Sequence, residues 1–239
     1  MKLDVLVFAA HPDDAELACS GTIIKHVEQG LKVGIVDLTR GEMGTRGTAE
    51  TRAQESEEAT KILGIHVREN LNLDDCFFDL STDSQLAIIR AIRKYKPEIV
   101  LANAIEDRHP DHGRGAKLVS ESFFKAGLVK IQTFDNGELQ EAWRPKVIYH
   151  YIQDRYIQPD FVVDVSKQFE KKMASIRAFK TQFFDPNSEE PSTYISSPDF
   201  LESIIARARE FGKLTKNGVY AEGFTIEKTL AVESLLDIF

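Results

Sequence analysis

His11, Asp13 and Asp14 stand close together in the run Ala10-His11-Pro12-Asp13-Asp14-Ala15-Glu16, and His109, Asp111 and His112 in the run Arg108-His109-Pro110-Asp111-His112. Imidazole nitrogens and carboxylate oxygens bind divalent metals, and a catalytic zinc site takes three such protein ligands and keeps one position open. His11 and Asp14, three residues apart at a strand-to-helix turn, can converge on one ion, with His112 reaching it from a second loop. Asp13 and His109 are then left nearby for proton transfer and charge stabilisation. Taken singly, each run has an ordinary structural explanation. His-Pro-Asp is a common turn in which Pro fixes φ and Asp caps a helix, and the second run reads equally as a loop with an exposed ion pair. Their joint occurrence, each after an apolar strand-like run, points to a metal site. His26, His66 and His150 read as structural histidines.

Those loops need strands and helices to hold them. Apolar runs at residues 3–9, 32–39, 67–71 and 99–102 alternate with segments of helical period at 16–29, 50–63 and 84–95, and a further helix is expected after Gly113. This pattern predicts an α/β, Rossmann-like, doubly wound and mostly parallel sheet with helices on both faces. If the strand order follows the Rossmann pattern, the first and fourth strands are neighbours and both histidine motifs face one crevice at the carboxyl ends of the strands. Further on, 146–152 and 161–165 read as strands, and 167–179 and 199–210 as helices. The intervening 180–198 is long for a connection without structure and is a candidate lid.

Composition narrows the function classes. The 239 residues form one expected domain, 1–239, with 42% hydrophobic and 28% charged residues, ordinary for a globular protein. A net charge of −8 without any basic run argues against nucleic acid as a partner. Cys19 and Cys76 form no CxxC pattern, which argues against thiolate zinc and suits a reducing, cytoplasmic setting. The first apolar run is too short for a membrane span, so no membrane association is expected.

With the run AHPDDAE at 10–16 and RHPDH at 108–112, the chain resembles the LmbE-like or PIG-L-type zinc-dependent N-deacetylases. Family members typically read AHPDDE in the first motif; here Ala15 separates the acids from Glu16. TRGEMGTRG at 39–47, Arg52 with Glu55, QPDFVVDVS at 158–166, KTQF at 180–183 and GVYAEGF at 218–224 extend the resemblance to the bacillithiol-biosynthesis subgroup. It implies removal of acetate from N-acetylglucosaminyl malate. It also implies His11, Asp14 and His112 as zinc ligands, Asp13 as general base and His109 as oxyanion stabiliser, in agreement with the residue-level reading. Arg52 resembles a sugar-contacting arginine; Tyr194, or Phe200 in its place, resembles a loop residue that assists catalysis in some relatives. Relatives assemble into multimers, so a homo-oligomer is expected, with a hexamer as one form it could take.

In the expected chemistry Asp13 takes a proton from water, a protonated His109 stabilises the oxyanion, and Asp111 holds the His109 imidazole in position. Arg52 can also grip a carboxylate through its planar fork. Asp74 and Asp75 both lie at the ligand-binding end, and spacing does not say which faces inward. A His₂Asp set accepts Fe²⁺, Co²⁺ or Mn²⁺ as well as Zn²⁺. Other functions are weighed as well. Gly41, Gly44 and Gly47 suggest nucleotide binding, but no GxGxxG follows the first strand. A deacetylase of another N-acetylglucosaminide or small amide, or a non-catalytic metal- or sugar-binding module, shares fold and ligands. A spare acid at position 13 argues for catalysis over mere binding.

Overall fold

The computed structural model describes residues 1–229 and 231–234; residues 230 and 235–239 of the expected domain lie outside the described residues. The first half alternates as expected: β1 (Val5–Ala9), α1 (Asp14–Glu28), β2 (Val33–Thr39), α2 (Ala49–Leu63), β3 (Val67–Leu73), α3 (Thr82–Tyr95), β4 (Ile99–Ala102) and α4 (Pro110–Ala126). Local chemistry fixes several ends. The Thr48 side chain caps α2 and Gly64 closes it at φ 71°, while Ser81 caps α3. The fourth helix starts at Pro110 rather than after Gly113, because Pro suits the first helical position and His109 takes the capping position before it. His112 therefore rides on the first turn of a helix.

The second half adds a short hairpin, β5 (Phe134–Asp135) and β6 (Glu138–Leu139), then β7 (Val147–Tyr151), β8 (Phe161–Asp164), α5 (Phe169–Arg177), α6 (Pro198–Gly212) and β9 (Ala221–Ile226). The main sheet has seven strands in the order β3-β2-β1-β4-β7-β9-β8. β1 pairs in parallel with both β2 and β4, which sets the two histidine motifs side by side. β9, which the apolar pattern does not reveal, runs antiparallel between β7 and β8. Its Glu222 and Gly223 interrupt the apolar run, and both have tertiary partners that only the fold supplies.

Alternation along β1 feeds both layers. Leu6 and Phe8 pack with Ile88, Ile92, Leu118 and Val119 of α3 and α4. Val5, Val7 and Ala9 face Ala15, Ile23 and Ile24 of α1 on the other side. A third cluster joins Phe169, Met173 and Ile176 of α5 to Phe200, Ile204 and Ala208 of α6. Helices thus cover both faces, and β1 and β2 are buried throughout, as expected for parallel strands sandwiched between helices. Among the described residues no helix is long and apolar enough to cross a membrane.

The helix that presents the first motif is broken and repaired. α1 kinks at Cys19 (φ −136°), which takes Gly21 and Thr22 out of the helical ladder. Glu222 of β9 accepts their N–H groups at 2.9 and 2.7 Å and the Thr22 hydroxyl at 2.6 Å. Lys172 of α5 donates to the carbonyls of Glu16 and Leu17 at 3.3 and 2.8 Å, and to Glu222 at 2.7 Å. The ion pair closes the break from both sides. Gly21 is required there, since a Cβ would stand 2.7 Å from Val165 Cβ. Both charged side chains are 2% exposed, so Lys172→Met, which leaves the buried Glu222 charge uncompensated and takes a donor from the Glu16 and Leu17 carbonyls, is expected to destabilise the fold by about 3–5 kcal/mol. Urea unfolding measures this; a loss below about 1 kcal/mol would show the pair to be dispensable.

Candidate active site

Two strand ends bring the site together. Asn103, just past β4, accepts the Ala10 N–H through Oδ1 (2.9 Å) and donates from Nδ2 to Asp14 Oδ2 (3.0 Å), tying one motif's loop to the other. The first turn of α1 is tight: Asp13 sits at the capping position with φ 131°, and its side chain makes no capping hydrogen bond. Such backbone geometry in a non-glycine residue stores strain of about 1–3 kcal/mol and is typical of functional sites. Freed from capping, the buried Asp13 carboxylate faces a cavity of about 230 Å³ lined also by His11, Asp14, His109 and His112.

Ring orientation supports a metal site. His11 Nδ1 stands 3.5 Å from Asp14 Oδ2 and His112 Nε2 stands 3.1 Å from Asp14 Oδ1. The opposite nitrogens are held by other carboxylates: His11 Nε2 by Asp75 at 3.1 Å and Asp111 at 3.2 Å, His112 Nδ1 by Asp107 at 2.6 Å. Metal-binding histidines are typically held this way, one nitrogen on the ion and the other donating to a carboxylate. Potential ligand atoms of His11, His109 and His112 also lie within 4.8 Å of one another, as do those of His11, Asp75 and Asp111. The donor chemistry of two imidazoles and a carboxylate fits zinc and equally iron, cobalt or manganese.

The electrostatics favour positive charge here. Burial opposes ionisation of Asp14, yet the adjacent His112 and His11 hold its carboxyl well below the ordinary range. Burial likewise opposes charge on His112, but Asp14 and Asp107 raise it to about 9, and Asp111, Asp14 and Asp75 overcome burial to raise His11. Carboxylates that retain protons on these rings also favour a dication among them. Asp13 differs: burial pushes its carboxyl up to about 7, against the pull of the Arg52 guanidinium.

The structure redistributes several expected roles. The Asp111 carboxylate contacts His11, Arg114 at 2.6 Å and the Cys76 N–H at 3.0 Å rather than the His109 ring. Its backbone N–H donates to His109 Nδ1 at 3.3 Å, because the helical turn starting at Pro110 points that amide back at the capping residue. Nδ1 is then an acceptor, which places the proton of His109 on Nε2. Burial, with the charges of His11 and His112, also lowers the His109 pKa, in the direction of the neutral imidazole and away from the expected imidazolium. Asp75 is the inward acid; Asp74 is exposed.

Arg52 is buried and committed, donating to Pro12 O at 2.7 Å and Gln182 Oε1 at 2.6 Å, with Asp13 Oδ2 at 3.4 Å. Gly41, at φ +66°, admits it, since a Cβ there would lie 2.9 Å from Arg52 Nη1. Tyr194 stands at the mouth, its hydroxyl donating to Asp154 at 3.2 Å and its ring 4.5 Å from the Arg108 guanidinium. Phe200 lines the same cavity, with its ring centroid 5.4 Å from that of Tyr194. The 180–198 segment forms part of the rim, with Glu190 accepting the Gly47 N–H at 2.9 Å. His26 and His150 bond to backbone carbonyls and His66 accepts a backbone N–H, all structural roles. Sequence reasoning missed Asn103, Asp107 and Gln153, whose Nε2 donates to Asp14 at 2.7 Å. Of these only Asp107, the residue immediately before the second motif, lay near a usable signal.

Residues 6–123 match the PIG-L profile, described as GlcNAc-PI de-N-acetylase. The chain is 30% identical over 193 residues to the diacetylchitobiose deacetylase of Thermococcus kodakarensis, covering 75% of this chain and 70% of that one. It is 26% identical over 196 residues to a probable N-acetyl-alpha-D-glucosaminyl L-malate deacetylase 2 of Bacillus anthracis, covering 75% and 81%. Its fold superposes on the conserved protein TT1542 of Thermus thermophilus with a TM-score of 0.85 at 34% identity, over 97% and 98% of the two chains. The expected α/β architecture, the paired motifs and these relatives agree: the chain belongs to the PIG-L, LmbE-like family and is an N-deacetylase.

Proposed function

We propose that this protein removes the acetyl group from N-acetylglucosaminyl malate, a step of bacillithiol biosynthesis, with Zn²⁺ held by His11, Asp14 and His112. The observation that carries the reading is the Asp13 carboxylate, buried beside those residues yet free of any capping role, with His109 lining the same cavity. A divalent cation at that place supplies Lewis acidity, making water more acidic and polarising a carbonyl oxygen. Asp13 accepts the proton of the attacking water. As the acetamide carbon becomes tetrahedral, its oxygen takes up negative charge, and His109 donates Nε2–H to it; one such donor is commonly worth about 2.7–4 kcal/mol of barrier. Asp13 then passes its proton to the amine nitrogen, the C–N bond breaks, and acetate and free amine result. Arg52 orients Asp13 through Pro12 O and the carboxylate itself.

The cavity supports the sugar conjugate. Its enclosed volume of about 230 Å³ lies below the range of about 300–1,000 Å³ of sites for drug-sized ligands, so it would take the acetamido sugar and leave the malate at the rim. Arg46, Arg108 and Arg207 line it beside the committed Arg52; Arg46 donates to Ser188, and its Nε lies 4.0 Å from Glu190. Guanidinium forks match carboxylates, as malate would present. The test is amine release by the zinc-loaded protein from N-acetylglucosaminyl malate, N,N′-diacetylchitobiose and N-acetylglucosamine, with a chelated control. We expect a chelator-sensitive preference for the malate conjugate. Preference for chitobiose would overturn the substrate, and no amine from any of the three would overturn the activity.

A further inference from the structure

We propose that Asp107 is a positioning residue that sets the His112 tautomer for metal binding and ties that ring to the Asp154 rim of the cavity. The inference rests on the metal-dependent reading above and deepens it. Asp107 lies in the loop between β4 and α4, with its side chain 0% exposed. Its Oδ2 stands 2.6 Å from His112 Nδ1, while Nε2 of the same ring faces Asp14 Oδ1 at 3.1 Å. Its Oδ1 accepts the backbone N–H groups of Arg108 at 2.9 Å and Arg155 at 2.7 Å. With one oxygen taken by the backbone, the other meets the ring as an acceptor, so His112 carries its proton on Nδ1. Binding of a cation would then displace the proton on Nε2, on the side where Asp14 stands.

The backbone contacts join this ring to the substrate rim. By gripping the Arg155 N–H, and that of Asp154 at 3.2 Å, Asp107 places the Asp154 carboxylate. Asp154 in turn accepts Arg108 Nε at 2.6 Å and the Tyr194 hydroxyl at 3.2 Å. Arg108 and Tyr194 both line the cavity. One buried carboxylate therefore aligns a metal ligand with the wall that would meet the aglycone.

Asparagine makes a sharp test, because the three backbone donors, of which Arg108 N and Arg155 N are the nearest, dictate how its amide lies. Its oxygen must face Arg108 N and Arg155 N, which leaves its NH₂ facing His112 Nδ1. That donor drives the ring proton to Nε2 and blocks the ligand lone pair. Zn²⁺ affinity would be measured by chelator competition for wild type, Asp107→Asn and Asp154→Asn, alongside ¹⁵N imidazole spectra of the zinc-loaded wild type. We expect Asp107→Asn to bind zinc about 10–100-fold more weakly. Asp154→Asn should retain wild-type zinc affinity but show a raised KM. In the wild-type spectrum His112 should carry its proton on Nδ1 and bind zinc through Nε2. Unchanged affinity in a folded Asp107→Asn variant, or zinc bound through His112 Nδ1, would overturn the proposal; the wild-type spectrum decides alone if that variant does not fold. A wild-type protein that binds no divalent metal would instead overturn the metal reading, and this inference with it.

Discussion

Asp13→Asn is expected to lower kcat by about 10²–10⁴-fold, the usual contribution of a general base, while metal content stays at the wild-type level. The amide keeps the size of the carboxylate and tolerates the unusual backbone at φ 131°, since asparagine is among the residues most often found at positive φ. It cannot accept a proton from water. The ion pair to Arg52 at 3.4 Å becomes a neutral contact, so Pro12 O and Gln182 still hold the guanidinium. Steady-state kinetics together with metal analysis of the purified variant check the result. Metal lost in step with activity would mean that Asp13 is itself a ligand, and the division between base and ligands would fail.

His112→Ala is expected to remove both metal and turnover, leaving a rate no higher than that of chelated wild type. The variant loses one of three proposed ligands, whereas the remaining contacts of Asp14, to Asn103 at 3.0 Å and Gln153 at 2.7 Å, stay in place. The fold should therefore survive, which circular dichroism would verify. The opposite outcome, full metal content with lost activity, would move His112 from ligand to catalytic partner and bring His109, within 4.8 Å of the other two rings, into the ligand set. The comparison with Asp13→Asn is informative because the two residues line one cavity yet predict opposite metal contents.

Much of this site was legible without coordinates because its chemistry is local. His11, Asp13 and Asp14 are neighbours in the chain, as are His109, Asp111 and His112, and alternating strand and helix periods place both groups at corresponding strand ends. Asn136-Gly137, at φ 50° and 84°, marks the β5–β6 hairpin with a turn signal of the strongest kind, though the flanking strands are too short for periodicity to reveal. By contrast, the choice between Asp74 and Asp75 was not legible. Consecutive residues in a loop have no fixed alternation, and only packing against His11 and the Met43 N–H turns Asp75 inward.

The amino-acid order by itself determined the fold class, the parallel β1–β4 neighbourhood and the residue types that meet in the crevice, because strand and helix periods and short-range spacing carry that information. Tertiary structure alone decided what each ring nitrogen faces. Asp107 meets His112 within the second motif's own loop and turn, but Asp111 reaches His11 across 100 residues, Gln153 reaches Asp14 across 139, and Glu222 closes the α1 kink from about 200 residues away. No periodic signal spans such separations. Hydrogen-bond direction, and with it tautomer, protonation and the split between ligand and base, is set by which buried donors and acceptors must satisfy one another once the chain has folded.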